Sequence, residues 1–310
     1  MSAIRELDMR PMFVLGCPRS GTTLVGGFLE PSQWGNAVET HFITKYALEG
    51  KQVDLSKPDV FKGLASKIIR ERPIMQWGID WDLDSLFRET EPKTYASMVD
   101  RICMKRSEKL GFPRWADKTP TFSFQVPLLK ELFPKAKYIF IYRDGRDVAN
   151  SLLERNWGPN NIWSAASYWK DCCEALLKAE QMLDPKSFLS IRYEKLLSEP
   201  EVYLRELLSF LEYSAPEDQI DQMASKVRSN NMNKWKTTLS KSSVRIFEQT
   251  AGDVLRKLGY PTGAPLDPLG AIPQAFYKAH DSLVWAKFMF EQNVIDGIRI
   301  KCFGKQPFNE

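Results

Sequence analysis

Cysteine and histidine are scarce in this chain, with five cysteines and two histidines among 310 residues. The cysteines are odd in number and lack the spacing of metal ligands, which disfavours both a disulfide framework and a zinc site. The sequence therefore predicts a protein of the reducing cytoplasm that requires no metal. The adjacent Cys172 and Cys173 are expected on or near the buried face of a helix.

Long apolar runs are absent as well. Strongly apolar stretches such as Tyr138–Tyr142 are far too short to span a bilayer. The first residues, Met1–Pro11, carry charges and no apolar run of the kind found in a secretory signal. We therefore expect a cytoplasmic protein without a membrane span.

No charge of one sign dominates the chain. Forty-three Lys and Arg against 39 Asp and Glu leave a formal charge of +4, which is too small to indicate general nucleic-acid binding. The fractions of hydrophobic residues, 43%, and charged residues, 26%, are typical of a globular protein. This balance is compatible with a local positive pocket for a small anion.

Strands and helices alternate along the sequence. Apolar runs rich in β-branched and aromatic residues predict strands, and segments with helical periodicity lie between them. The alternation predicts an α/β fold in one domain, 1–310, with a central parallel sheet flanked by helices. The predicted strands are Met12–Leu15, Pro113–Ala116, Lys137–Tyr142 and Phe188–Arg192; the predicted helices are Pro58–Arg70, Pro92–Leu110, Phe124–Phe133, Ile162–Leu183, Glu201–Leu211 and Gln274–Ile300, with a loop over Pro261–Pro273.

The segment Gly16–Thr23 has the glycine spacing of a phosphate-binding loop and lies between a predicted strand and a predicted helix. Backbone N–H groups in such a loop bind anions. The lysine that grips a nucleoside triphosphate is missing, because position 22 is Thr22. Arg19 supplies a positive charge inside the loop, and Ser20, Thr22 and Thr23 supply hydroxyls. This set favours an anion with a shorter chain than a triphosphate and no obligatory magnesium.

A second candidate anion site follows the strand that ends at Tyr142. Arg143 and Ser151 are eight residues apart on a second strand-to-helix turn. A guanidinium group and a hydroxyl together can hold a dianionic phosphate through charge-assisted hydrogen bonds. By itself, an arginine followed by Asp144 and Gly145 is usually part of a salt-bridged turn, so the assignment of a phosphate to this turn depends on the resemblance described next.

These motifs carry a resemblance to a known family. The segment Pro18–Leu24 resembles the 5′-phosphosulfate loop of sulfotransferases, in the arginine-containing form of tyrosylprotein and many bacterial members, and Arg143 with Ser151 resembles their 3′-phosphate motif. The resemblance implies a P-loop-type domain that binds 3′-phosphoadenosine 5′-phosphosulfate (PAPS) and releases the desulfated product PAP. It implies nucleotide-binding motifs within 12–240, acceptor-binding helical segments at about 40–112 and 155–185, and helical closure by 241–310. The residues implied to bind the nucleotide at the two phosphate motifs are Pro18, Arg19, Ser20, Gly21, Thr22, Thr23, Arg143 and Ser151.

Two further segments extend the resemblance. Tyr193 resembles a tyrosine that contacts the nucleotide in these enzymes, although an aromatic residue capping a helix explains it equally well. Asn233–Lys236 resembles the segment that closes over the nucleotide, where Trp235 would stack and Lys234 would meet a phosphate.

The chemistry of sulfuryl transfer requires a general base for the acceptor proton and cations for the developing charge. Glu39 resembles the glutamate that acts as base in the tyrosylprotein enzymes, and we expect burial to raise its pKa toward neutrality. His41 is the alternative base, because cytosolic sulfotransferases use histidine. Lys118 resembles a lysine that stabilises the transferring group together with Arg19, the alternative being a solvated loop lysine. His280 is expected to be structural.

Two other functions remain open from the sequence. A P-loop kinase or NTPase would require the lysine missing at position 22, and a non-catalytic nucleotide-binding protein would not need the retained candidate base and cations. The acceptor is expected to be a small molecule, with neither nucleic acid nor membrane as partner. A homodimer remains open.

Overall fold

The computed structural model describes residues 9–228, 230–263 and 267–290. In these ranges it forms a four-stranded sheet with the order β2-β1-β3-β4, in which every neighbouring pair is parallel. The α/β fold with a central parallel sheet flanked by helices is confirmed. The strands are β1 Met12–Gly16, β2 Ala116–Asp117, β3 Lys137–Tyr142 and β4 Phe188–Arg192.

The sheet is apolar because its central strands are covered on both faces. All of β1 is buried, as is β3 after Lys137, and continuous apolar runs are what such strands require. Gly16 pairs with Ile141, and Tyr142 pairs with Arg192. The carboxyl ends of the strands therefore meet at one edge, where ligands bind in open parallel sheets.

The helices agree with the periodicity of the sequence in most places. Helix α7 begins at Tyr95 rather than Pro92, because the Thr94 hydroxyl caps it by accepting the N–H of Ser97 at 3.2 Å. The helices are α1 Thr22–Gly27, α2 Phe42–Lys45, α3 Ala47–Gln52, α4 Pro58–Ile69, α5 Arg72–Met75, α6 Leu83–Glu89, α7 Tyr95–Lys109, α8 Val126–Leu132, α9 Gly145–Leu152, α10 Ile162–Met182, α11 Tyr193–Ser198, α12 Pro200–Phe210, α13 Glu217–Ser225, α14 Trp235–Thr238, α15 Lys241–Lys257 and α16 Ala271–Phe290, with 3₁₀ turns at Pro120–Phe124 and Pro185–Ser187.

Other boundary predictions were wrong, and a long helix was missed. The short strand near residue 115 is Ala116–Asp117, two residues long, and not Pro113–Ala116. The predicted loop Pro261–Pro273 ends earlier, because α16 begins at Ala271 and accommodates Pro273 in its first turn, where no N–H is needed. Helix α15 was not predicted. The predicted helix end at Ile300 lies outside the described residues.

The chain divides into two compact units. Within the described ranges, the first comprises 9–143 and 175–231 and contains the whole sheet, and the second comprises 144–174 and 232–290. The chain passes between the units three times, once within α10, so this division does not test the prediction of one domain. That prediction stays open.

The adjacent cysteines Cys172 and Cys173 are buried on helix α10, as expected. Cys17 and Cys103 are buried as well. In the described part of the chain, no helix combines the length and the apolar character needed to cross a membrane. No group of three or more His, Cys, Asp or Glu able to hold a metal ion occurs in the same ranges, and the expectation of a metal-independent reaction stays a prediction.

Candidate active site

The edge of the sheet where the strands end collects the predicted site residues of the first unit. Val38 forms a parallel bridge to Asp117, so the chain around Glu39 runs beside β2 and ends at the same edge. A single sheet edge thus serves five chain segments. They are Glu39 after the bridge at Val38, Lys118 after β2, the phosphate loop after β1, Arg143 after β3 and Tyr193 after β4.

The phosphate loop joins β1 to α1 through a tight turn. Arg19 and Gly21 have positive φ angles of 73° and 101°, a backbone form that glycine tolerates and that makes concave surfaces for anions. A Cβ at Gly16 would lie 2.9 Å from the carbonyl oxygen of Ile141, and one at Gly21 would lie 2.5 Å from the ring of Tyr193. The glycine spacing therefore follows from close packing as well as from the turn.

The polar side chains of the loop differ in exposure. Pro18 and Thr22 are buried, whereas Arg19 and Thr23 are exposed. Ser20 is 1% exposed, and its Oγ has no hydrogen-bond partner among the described residues. Because burial of an unpartnered hydroxyl costs free energy, the position of Ser20 fits a loop that holds an oxygen-rich anion.

Arg143 lies against the phosphate loop. One of its Nη groups donates to the carbonyl of Arg19 and the other to the carbonyl of Asn231, both at 2.9 Å. The guanidinium lies 4.6 Å from the ring centroid of Tyr193, whose hydroxyl accepts the Asn231 side-chain amide at 2.8 Å. The two predicted anion-binding arginines are therefore neighbours.

Tyr193 lies at the start of α11 and beside the phosphate loop. It is the first residue of α11, and its buried ring covers Gly21 and faces Arg143. The ring thus supports the phosphate loop directly, and contact with a nucleotide stays a prediction.

In the second unit, α9 anchors the segment that contains Trp235. The carboxylate of Asp147 accepts the backbone N–H of Asn233 at 2.6 Å and that of Trp235 at 2.9 Å. The Trp235 ring lies 3.8 Å from the guanidinium of Arg146, while Lys234 is exposed. One face of the Trp235 ring is covered by protein, and its predicted stacking on a nucleotide stays a prediction.

Arg146 is a buried cation that the sequence analysis missed. It is 1% exposed, forms ion pairs with Asp144 and Glu248 at 2.8 Å, and donates to the carbonyl of Pro261 at 2.9 Å. Two carboxylates compensate the buried charge, as burial of a guanidinium requires. Ser151, on the same helix, is half-buried. His280 lies on α16 and is exposed, with its Nδ1 3.5 Å from the amide nitrogen of Asn161.

The candidate catalytic residues of the first unit form one cluster. Lys118 Nζ lies 2.9 Å from Glu39 Oε1, and His41 Nε2 lies 3.3 Å from Glu39 Oε2. The stem of Lys118 crosses α1 at Gly26, where a Cβ would lie 3.1 Å from its Cδ. Lys118, which is predicted to stabilise the transferring group, is thus in contact with Glu39, the favoured base.

The pKa of Glu39 differs from expectation, and the pKa of His41 is shifted as well. The hydrogen bond from His41, followed by the bond and charge of Lys118, outweighs burial and lowers the pKa of Glu39 to about 2. The bond to Glu39 in turn raises the pKa of His41. The expected upward shift for Glu39 is therefore absent in this structure, because two cationic partners stabilise its ionised form.

Asp117 holds the two catalytic segments together and was missed by the sequence analysis. It is fully buried, and its carboxylate accepts the N–H of Thr40 at 3.0 Å, the N–H of Thr119 at 2.6 Å and the Thr119 hydroxyl at 3.1 Å. Burial raises its pKa to about 6. Glu39 and Lys118 directly precede the two threonines, so Asp117 sets their spacing. A lone aspartate in a sequence carries no signal of this role.

A cavity of about 640 Å³ opens beside the cluster, and we call it the Glu39 cavity. It lies wholly within the first unit, between the chain before α2, helices α5 and α7, and Lys118. Its volume is within the range of small-molecule sites. Its lining residues are Ala37, Val38, Glu39, His41, Pro73, Gln76, Trp77, Arg106, Lys109, Leu110 and Lys118.

The fold is also found in solved structures. The sulfotransferase domain of the curacin biosynthetic pathway is 20% identical, with a TM-score of 0.51 and coverage of 82% of this chain and 99% of that one. The sulfotransferase domain of the Synechococcus PCC 7002 olefin synthase is 17% identical, with a TM-score of 0.53 and coverage of 82% and 96%. These similarities show the fold.

The sequence matches a family model and characterised relatives. The model described as "Sulfotransferase family" matches residues 11–217. Protein-tyrosine sulfotransferase A of Caenorhabditis elegans is 24% identical over 82% of this chain and 68% of that protein. The omega-hydroxy-beta-dihydromenaquinone-9 sulfotransferase Stf3 of Mycobacterium tuberculosis is 26% identical over 82% and 76%. The protein-tyrosine sulfotransferase of Drosophila melanogaster is 24% identical, and the match spans about half of it, 54%. The chain belongs to the sulfotransferase family and is a PAPS-dependent sulfotransferase.

Proposed function

We propose that this protein transfers the sulfuryl group of PAPS to a hydroxyl or amine of a small-molecule acceptor. The S–O bond to the 5′-phosphate breaks, a bond from sulfur to the acceptor forms, the acceptor proton passes to a base, and PAP leaves. The observation that carries the proposal is the contact between Arg143 and Arg19, which joins the two candidate anion sites at one sheet edge.

The phosphate loop is proposed to bind the 5′-phosphosulfate. The buried and unpartnered hydroxyl of Ser20 and the positive φ angles of Arg19 and Gly21 support the binding of an anion. Threonine in place of lysine at position 22 favours a phosphosulfate over a triphosphate. Arg143 is proposed to bind the 3′-phosphate. Ser151 is proposed to bind the same phosphate, on the basis of the sequence resemblance.

Glu39 is proposed as the general base and Lys118 as the cation that meets the sulfuryl oxygens. Their contact at 2.9 Å links the two roles. When a phosphosulfate attracts the Lys118 ammonium, Glu39 loses that partner, and its pKa moves upward toward the range a base needs. His41 is the weaker candidate, because its raised pKa favours the protonated form, which cannot accept a proton.

Isothermal titration with PAP, alongside ATP with magnesium, tests the proposal. A sulfotransferase binds PAP without metal and prefers it to ATP, and a chelator leaves that binding unchanged. Preference for magnesium-ATP would instead indicate a kinase or NTPase, and PAP binding without sulfate transfer to any acceptor would indicate a non-catalytic protein. The cytoplasmic location and the homodimer stay predictions.

A further inference from the structure

Helix α7 carries basic side chains of two kinds. Arg101 forms ion pairs with Glu89 and Glu108, and Lys105 pairs with Glu89. Arg106 and Lys109, one turn apart, form no ion pair with a carboxylate within the described ranges. Carboxylates therefore neutralise Arg101 and Lys105, whereas Arg106 and Lys109, which line the Glu39 cavity, have no such partner in the described ranges.

The contacts of Arg106 and Lys109 leave donors for a ligand. One N–H of Arg106 donates to the Asn36 carbonyl at 3.3 Å, and its guanidinium lies 5.9 Å from the ring centroid of Trp77. The Lys109 ammonium donates to the carbonyls of Trp77 and Gly78 at 3.2 and 2.6 Å. A guanidinium has about five N–H donors and an ammonium about three, so these bonds satisfy only part of each cation.

The environment of Arg106 also favours an anionic partner. Arg106 is half-buried, and burial lowers its pKa with no carboxylate in the described chain to offset the cost. Charges lining the Glu39 cavity are unequal, because Lys118, Arg106 and Lys109 face one carboxylate, Glu39, which Lys118 already pairs. The part of the cavity that Arg106 and Lys109 line is therefore positively charged, and the aromatic side chain of Trp77 lines the same cavity.

We infer that Arg106 and Lys109 form a subsite for an anionic group, foremost a carboxylate, carried by a small aromatic hydroxy acid whose hydroxyl reaches Glu39. This inference rests on the proposed function, because it names the acceptor class of the same site. A guanidinium can bind a carboxylate with two parallel hydrogen bonds, and the ammonium adds a point charge. The ring of such an acceptor would lie against Trp77.

Matched pairs of phenols test this inference. We would measure kcat/KM with PAPS for 4-hydroxyphenyl alkanoic acids of increasing chain length and for their methyl esters, which keep the shape and remove the charge. For at least one chain length, kcat/KM should be roughly 10- to 100-fold higher for the acid than for its ester, which is the effect expected of a hydrogen bond to a charged group. Arg106→Gln and Lys109→Gln should each reduce the preference several-fold, and the double variant should abolish it.

Lys105→Gln is the matched control, because Lys105 lies on the same helix and pairs with Glu89. It should leave the preference for acids unchanged. PAP titration on every variant reports folding and donor binding, and exposed Lys109 provides a substitution that cannot disturb the core. If the phenols are not sulfated, titration of acids and esters into the PAP-bound protein replaces turnover, with the same preference expected.

Several results would overturn the inference. These are equal use or binding of acids and esters, no binding of any acid, a preference that survives in the double variant, an equal loss in Lys105→Gln, or transfer confined to acidic tyrosine peptides. Failure of the proposed sulfuryl transfer itself would differ from all of these, because the protein would then sulfate no acceptor, charged or neutral, whether or not it bound PAP.

Discussion

The phosphate loop and the Glu39 cavity lie on the same unit but are built in different ways. The loop is one uninterrupted segment, 16–23, shaped by two glycines that meet Ile141 and Tyr193. The cavity is assembled from residues near 37–41, 73–77, 106–110 and 118. The comparison indicates that the phosphate loop is encoded in one short segment of the sequence, whereas the cavity depends on how distant segments pack.

The comparison is tested most directly at Glu39, the proposed base, which lines the cavity. Glu39→Gln keeps the size of the side chain and removes the base, so turnover of a phenolic acceptor should fall by roughly 10²- to 10⁴-fold. PAP affinity, measured by titration, should stay within about 2-fold, a difference below 0.5 kcal/mol. Glu30→Gln, at an exposed position, is the control. A comparable loss in His41→Ala with little effect in Glu39→Gln would show that the base has been misassigned.

Arg143→Ala should show the opposite pattern, on the donor side. Removal of the guanidinium takes away hydrogen bonds to Arg19 and Asn231 together with the charge proposed for the 3′-phosphate. PAP binding should weaken by roughly 2–5 kcal/mol, as for truncation of one partner of a buried charge pair. Titration measures the loss, and Arg88→Ala, which removes an exposed arginine, serves as control. Unchanged affinity would remove Arg143 from the site.

The success of the sequence predictions also differs between continuous segments, such as the phosphate loop, and sites built from distant segments, such as the Glu39 cavity. Strand Lys137–Tyr142 was predicted to the residue, because a run buried on both faces is apolar throughout. Strand Phe188–Arg192 was also predicted to the residue, although only Ile191 in it is buried. The phosphate loop was predicted with its context, because its glycines and its turn lie in one segment. Arg106, Lys109 and Asp117 were missed as site residues, because each depends on a partner from a distant segment.

The pKa of Glu39 shows the same limit in chemical terms. A sequence suggests burial of a carboxylate but does not show which cations will reach it. Lys118 is 79 residues away along the chain, and its bond, together with that of His41, reverses the sign of the expected shift. The chemistry of the site thus depends on tertiary contacts even where its residues were identified.

Asp117→Asn sharpens the comparison, because Asp117 connects the segments of Glu39 and Lys118 without lining the cavity. An amide nitrogen would face a backbone N–H in place of an accepting oxygen, so stability should fall by about 1–3 kcal/mol. Turnover should fall as well, with PAP affinity nearly unchanged. Denaturant unfolding and steady-state kinetics measure the two effects, with exposed Asp59→Asn as control. A stability loss with normal turnover would limit Asp117 to a structural role.

The smallest expected effect concerns the pH dependence of the pair of Glu39 and His41. The pKa of His41 is raised above 6.5, so its contribution to stability is fully present below pH 6.5 and is lost as pH rises through the folded pKa. The pKa of Glu39 is lowered from 4.5 to about 2, so its contribution is present above pH 4.5 and is lost as pH falls toward 2.

The stabilising effect of the pair should therefore be greatest between pH 4.5 and pH 6.5. Because both side chains are largely exposed, with 51% and 40% of their surfaces accessible, solvent screening limits the contribution to about 0.2–1 kcal/mol. The difference in melting temperature between wild type and His41→Gln, followed from pH 4 to pH 9, should be largest in that window and decline above it. A difference that stays constant over the whole range would show that His41 acts through neutral packing, and the downward shift assigned to Glu39 would then depend on Lys118 alone.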